Sequence, residues 1–179
     1  GVAAPIVIQG LLPIFESLFT VTTDITLLEL SDLNRPLLRE LAIRAPGTYT
    51  HSLIMANLSE AGAQRIGASP LLARVGCYYH DVGKMLKPEY FTENQGLRGG
   101  RNPHDHLTPS MSFLIIDSHV KDGIELGEEN GLPKAIVDLI PQHHGTTVIE
   151  YFYNRAIELG VENVRRDDFR YDGPKPQTK

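Results

Sequence analysis

Of the seven histidines in the chain, five (His51, His80, His119, His143 and His144) fall on or at the ends of four separate segments whose apolar spacing is helical. A single such histidine reads as a satisfied core or surface residue. Helices packed in a bundle, however, bring side chains from distant segments to one interior point, which is how helical proteins build metal sites. Two of the segments carry adjacent polar pairs, "HD" at 80–81 and "HH" at 143–144. Neighbours on a helix project about 100° apart and do not face the same spot. Gly83 and Gly145 follow the pairs, at helix ends where the backbone can turn and re-aim one member. The Asp81 carboxylate has two oxygens and is the natural bridge between two cations, with histidines flanking it. Imidazole and carboxylate donors without thiolate suit Fe, Mn, Zn or Ni, and the residue types do not choose among these.

Other residues near these pairs admit two readings each. Lys84 is either a contact to a phosphate oxygen or a solvated lysine favourable to the helix dipole. Arg98 and Arg101, in "GLRGGRNPHDH", are either cover for a second phosphate or part of a solvated loop. His104 and His106 stand outside the ligand set as surface residues of that loop. Tyr78 and Tyr79 lie inside an apolar helix, where core packing competes with stacking on a base; Tyr151 and Tyr153 carry the same ambiguity. Cys77 is the only cysteine, so no internal disulfide is available, and it reads as a small core residue in a reducing setting.

The elements that must position these residues are delimited by proline and glycine. "NRPLLRELAIRAPG" predicts a helix with Asn34 as cap, Pro36 in its first turn and Pro46-Gly47 as stop. "YTHSLIMANLSEAGAQRIG" predicts the next, ending at Gly67. Ser69 and Pro70 then open "SPLLARVGCYYHDVG", whose Leu72, Val75, Tyr79 and Val82 share a face and whose last turn holds His80 and Asp81. "KPEYFTENQGLRGGRNPHDH" lacks periodicity and predicts a long functional loop. Thr108 and Pro109 open the helix that carries His119, and "LPKAIVDLIPQHHG" and "TTVIEYFYNRAIELG" complete the body. The tail "VRRDDFRYDGPKPQTK" is too rich in charge and proline for a helix. The reading is a single all-α domain.

Bulk composition agrees. At 179 residues, 41% hydrophobic and 22% charged, the chain is long enough for a substantial core. A formal charge of -5 and a pI near 5.8 exclude a general nucleic-acid binder, so any phosphate ligand needs local positive charge. The uncharged start "GVAAPIVIQGLLPIF" is shorter than the roughly 20 apolar residues of a spanning helix and lacks a basic n-region. It reads as a packed apolar helix or as the end of a membrane segment.

The order His51, "HD" at 80–81, then "HH" at 143–144 resembles the HD-domain metallophosphohydrolase superfamily. The flanking blocks "LLELSDLNRPLLRELAIRAPGTYTHSL", "HDVGKMLKPEYFTENQ", "NPHDHLTPSMSFLIIDSHVKDG", "LPKAIVDLIPQHHGTTVIEYFYNRA" and "DDFRYDGPKPQTK" resemble the cytoplasmic domain of the seven-transmembrane HD proteins, the PgpH-type cyclic-di-AMP phosphodiesterases. The resemblance implies an HD-domain helical bundle with a long loop after the HD helix. It assigns His51, His80 and Asp81 to one metal, and Asp81, His119, His143 and His144 to the other. Two divalent ions, iron or manganese, would activate a hydroxide that cuts cyclic-di-AMP to linear pApA, with Asp81 and Lys84 catalytic and Lys84, Arg98 and Arg101 on the substrate. Residues 1–20 would be the exit of the last membrane helix and residues 21–179 the hydrolase domain, in the cytoplasm of a membrane-anchored protein. The family has a further aspartate ligand downstream of "PKPQTK"; nothing up to Lys179 matches it, and Asp167, Asp168 and Asp172 precede that block. The domain is therefore expected to lack the family's last helices. Two rival readings are another HD-type phosphohydrolase, acting on cyclic-di-GMP or a nucleoside triphosphate, and a non-catalytic nucleotide sensor.

Overall fold

The computed structural model describes residues 21–96 and 102–177; the expected membrane-exit segment 1–20, Arg98 and Arg101 lie outside the described residues. Among the described residues the helices are α1 (Asp24–Leu30), α2 (Pro36–Arg44), α3 (Pro46–Arg65), α4 (Pro70–Tyr79), α5 (Thr92–Gln95), α6 (Pro109–Glu129), α7 (Lys134–Val137), α8 (Leu139–Gln142) and α9 (Glu150–Glu158). None is long and apolar enough to cross a membrane.

Helix starts follow the local chemistry in most places. Ser69 accepts from the Leu72 N–H at 3.3 Å and Thr108 from the Met111 N–H at 3.2 Å, each followed by proline at the first helical position. Asn34 does not cap α2. Its backbone and side-chain nitrogens instead donate to Asp32 Oδ1 at 2.9 and 3.0 Å, closing an Asx turn before the helix. Pro46 both follows α2 and opens α3, whose first donors are satisfied from a distance: Gly47 and Thr48 N–H groups donate to Asn94 Oδ1 at 2.9 and 3.1 Å. The expected helix over "LPKAIVDLIPQHHG" divides into α7 and α8, because Pro141 has no N–H to give to the Val137 carbonyl.

The face expected of α4 is the main core. Val75, Tyr79 and Val82 are fully buried against Leu27 and Leu30 of α1, Leu38 and Leu41 of α2, and Ile136 of α7. Each such side chain contributes about 1.5–3 kcal/mol through burial. The Tyr79 hydroxyl donates to the Leu30 carbonyl at 2.9 Å, so this tyrosine is a core residue, and Tyr78 packs in the same cluster. A second cluster joins Phe113 of α6, Phe152 and Ala156 of α9, and Phe169 from the tail. The described part of the tail is non-helical as expected apart from one 3-10 turn at Arg166–Phe169, yet Phe169 and Tyr171 are buried.

The described parts of the loop after the HD pair carry more secondary structure than its composition predicts. It contains 3-10 turns at Pro88–Tyr90 and Pro103–His106 as well as α5. His104 is buried rather than on the surface: its Nε2 meets the Tyr90 carbonyl at 2.9 Å and its ring packs between Tyr90 and Phe152. Single turns held by such long-range contacts leave no periodic trace in the sequence.

Candidate metal centre

Four parts of the fold deliver the polar cluster. His51 lies on α3; His80 ends α4 and Asp81 follows it; His119 lies on α6; His143 ends α8 and His144 follows it. Gly145, at φ +56°, turns the chain after the histidine pair as expected. Gly83 does not: Asp81 is re-aimed by its own φ of -114°, ψ of 15° and by the 3-10 turn Val82–Leu86. Gly83 matters instead because this turn lies directly on α6, where a side chain at position 83 would meet the backbone of His119 and Gly123.

The side chains form two groups that share one carboxylate. Donor atoms of His51, His80 and Asp81 lie within 4.8 Å of one another, and so do those of Asp81, His119, His143 and His144. Asp81 is 2% exposed and divides its oxygens between the groups. Oδ2 is 3.0 Å from His80 Nε2 and 2.8 Å from Lys84 Nζ; Oδ1 is 3.5 Å from His119 Nε2 and 3.6 Å from His143 Nε2. His144 Nε2 stands 3.2 Å from His119 Nε2.

Three observations fit these residues to cations. The Nδ1 atoms of His80, His119 and His143 meet the carbonyls of Cys77, Ile116 and Ile140, which turns each Nε2 lone pair inward, the orientation found for metal-bound histidines. Asp81 Oδ1 is buried without a hydrogen-bond partner, a costly arrangement unless a cation faces it. Burial holds His119 below its ordinary pKa, and lowers His143 to about 4 and His144 to about 3, so all three are neutral and able to ligate near pH 7. His80 differs: burial opposes its protonation, but the adjacent Asp81 carboxylate outweighs this and raises its pKa. Burial likewise disfavours the Asp81 anion, yet His80, Lys84 and His119 together hold its carboxyl well below the usual range.

Lys84 is neither solvated nor simply a helix-end charge. Its ammonium joins Asp81 to Glu93 Oε1 at 3.0 Å and lies 5.1 Å over the Phe91 ring. Burial acts against its charge, but Asp81 and Glu93 raise its pKa. Glu93, which also accepts from Thr48 Oγ1 at 3.1 Å, had no signal in the sequence; it sits in the aperiodic loop 45 residues from Thr48. Arg98 and Arg101 lie outside the described residues. Tyr151 is 60% exposed and Tyr153 packs on the Phe169 side, so neither joins the cluster. A cavity of about 720 Å³ opens beside the cluster, lined by His51, His80, Asp81 and His143 together with Met55 and Leu72. Its size lies within the range of small-molecule sites.

The neutral histidines make the metal-free protein acid-sensitive. Unfolding frees His119, His143 and His144 to protonate below their ordinary pKa of 6.5, whereas folding holds them neutral down to about 4 for His143 and about 3 for His144. The unfolded chain then binds more protons, so stability falls as pH drops through this window. Asp81 acts in the same direction below 3.8, and His80, with its raised pKa, partly offsets the loss. The melting temperature of chelator-treated protein is expected to decline from pH 7 to pH 4; a flat or rising profile would contradict buried neutral ligands.

Residues 48–174 match the family model described as HD domain. Over all 179 residues the chain is 52% identical to the cyclic-di-AMP phosphodiesterase PgpH of Listeria monocytogenes serotype 1/2a (strain 10403S), and 49% identical to that of Bacillus subtilis (strain 168). It spans about a quarter of the length of these curated relatives, 24% and 25% respectively. The crystal structure of the L. monocytogenes PgpH HD domain in complex with cyclic-di-AMP is 54% identical, with a TM-score of 0.76 covering 82% of this chain and 67% of that one.

Proposed function

Since the chain belongs to the HD-domain family, we propose that it is the hydrolytic domain of a phosphodiesterase that cuts cyclic-di-AMP to linear pApA. One observation carries the reading: a buried carboxylate, Asp81, presents one oxygen to each of two histidine groups and leaves Oδ1 without a partner. His51, His80 and Asp81 would hold one divalent ion, and Asp81, His119, His143 and His144 the other. Iron or manganese suits this donor set. Bound there, two such ions supply water activation at neutral pH and neutralise charge on the phosphodiester.

The chain's own residues do the rest. Asp81 joins the two groups, and the pinned imidazoles keep their Nε2 atoms aimed at one point. Lys84 stands 2.8 Å from Asp81 with its charge preserved, so a phosphate oxygen brought to the cluster meets an ammonium already in position. Glu93 holds that ammonium from the other side. Arg98 and Arg101 are assigned to the second phosphate. The membrane-exit reading of residues 1–20 and a cytoplasmic position for residues 21–179 complete the proposal, with the whole protein anchored in the membrane.

The test offers cyclic-di-AMP, cyclic-di-GMP, pApA and a nucleoside triphosphate to the Mn²⁺-reconstituted protein. Turnover of cyclic-di-AMP to pApA is expected; turnover of the triphosphate alone would transfer the site to another HD hydrolase, and binding without turnover would make it a sensor. Lys84→Met should lower kcat by about a hundredfold with metal content unchanged. Unaltered kcat would reduce Lys84 to a structural ion pair.

A further inference from the structure

The second histidine group contains one residue that is not oriented like its neighbours. His119 and His143 each have Nδ1 against a carbonyl three residues earlier, whereas no such bond is made by His144 among the described residues. Its ring is instead laid flat on Tyr171, with centroids 4.1 Å apart and an interplanar angle of 4°. The His143 ring lies against it as well, tilted by 43° with centroids 3.9 Å apart. Tyr171 is 5% exposed, so the plate itself is fixed.

Tyr171 belongs to a strap that crosses the histidine turn. The Ile149 N–H donates to the Phe169 carbonyl at 2.9 Å and the Tyr171 N–H to the Thr147 carbonyl at 3.0 Å. Arg170 Nη1 donates to the Thr146 carbonyl at 2.7 Å, and the Gln177 N–H to Gln142 Oε1 at 3.1 Å. Phe169, fully buried beside Phe113 and Phe152, anchors the strap to the second core cluster. The segment is thus tied to residues on both sides of His143 and His144.

We propose that Tyr171 is a positioning residue: its ring face does for His144 what backbone carbonyls do for His119 and His143, and thereby sets the affinity of the ion held by Asp81, His119, His143 and His144. The hydroxyl is not needed for this role; the flat ring is. An imidazole left to rotate about its side-chain torsions would meet the ion in only a fraction of its orientations. Loss of such outer support typically weakens metal binding by about 10–100-fold.

The inference rests on the two-metal reading, and its test separates the two. Co²⁺ is titrated into metal-free wild type, Tyr171→Phe and Tyr171→Leu, and followed by ligand-field absorption together with metal analysis. Wild type and Tyr171→Phe are expected to take up two ions with the same affinities. Tyr171→Leu should keep one tight ion and bind the second about 10–100-fold more weakly, with altered absorption for that ion alone. Should Tyr171→Leu fail to fold, Tyr171→Met is scored in the same way. Two equally tight ions in the leucine or methionine variant overturn the role of the ring, and a phenylalanine variant as weak as leucine overturns the dispensable hydroxyl. Fewer than two ions in wild type would fail the two-metal reading itself and this inference with it.

Discussion

If the chain is the two-metal phosphodiesterase proposed above, Asp81→Asn is expected to strip it of both metal ions and to slow cyclic-di-AMP hydrolysis by at least about a thousandfold, equivalent to about 4 kcal/mol of barrier. The side chain keeps its shape but loses its charge and one of its two acceptor oxygens. In the wild type those oxygens serve different groups, Oδ2 facing His80 and Lys84, Oδ1 facing His119 and His143. An amide can offer oxygen to one group only and must turn an NH₂ towards the other. Neutral histidines alone would remain on the second side. Metal analysis after reconstitution with Mn²⁺ checks the first half of the expectation and a product assay the second. Asp138→Asn, which removes a surface partner of Lys134, is the control and should retain both ions. Two ions in Asp81→Asn, or activity within tenfold of wild type, would remove Asp81 from the centre of the site.

The clustering of these side chains is legible in the sequence because they sit on strongly marked segments. The face Val75, Tyr79, Val82 and the starts at Ser69 and Thr108 follow from short-range rules of spacing and capping, and they place His80, Asp81 and His119 without any knowledge of the whole fold. What surrounds the centre was not legible, because it is held by contacts between distant parts of the chain. Asn94 caps a helix by accepting from Gly47, 47 residues earlier, and Glu93 steadies Lys84 from a loop with no period. His104 looked like a loop residue in solvent and is buried between two rings. The charged tail concealed Phe169 and Tyr171, single aromatic residues whose burial depends on α6, α9 and the histidine turn being present to receive them. Sequence patterns report a segment's own preference, and these residues answer to their partners instead.

Gly83 shows the same limit in one residue and leads to the second large effect. Its place after Asp81 suggests a glycine at which the backbone turns to re-aim the pair, yet what it provides is closeness. A Cβ built there would lie 2.0 Å from the His119 carbonyl oxygen, 2.5 Å from the Gly123 nitrogen and 2.9 Å from the His119 carbonyl carbon. All three are backbone atoms of α6, so no side chain can swing aside. The 3-10 turn and α6 must separate, and Asp81 and His119 move apart with them, since each lies within two residues of the contact or in it. Gly83→Ala is therefore expected to lower the stability of the metal-free protein by about 3 kcal/mol. On the proposed two-metal reading it should also weaken the ion assigned to Asp81 and His119 more than the one assigned to His51 and His80. Gly123→Ala, whose Cβ would meet Ile140 Cγ2 at 3.1 Å and the Gly83 nitrogen at 3.4 Å, asks for a smaller adjustment and should cost less. Urea denaturation of both variants without metal, followed by Co²⁺ titration, measures each half. If Gly83→Ala denatures at the wild-type midpoint and binds two ions as tightly, then the contact between the turn and α6 does not hold the site together.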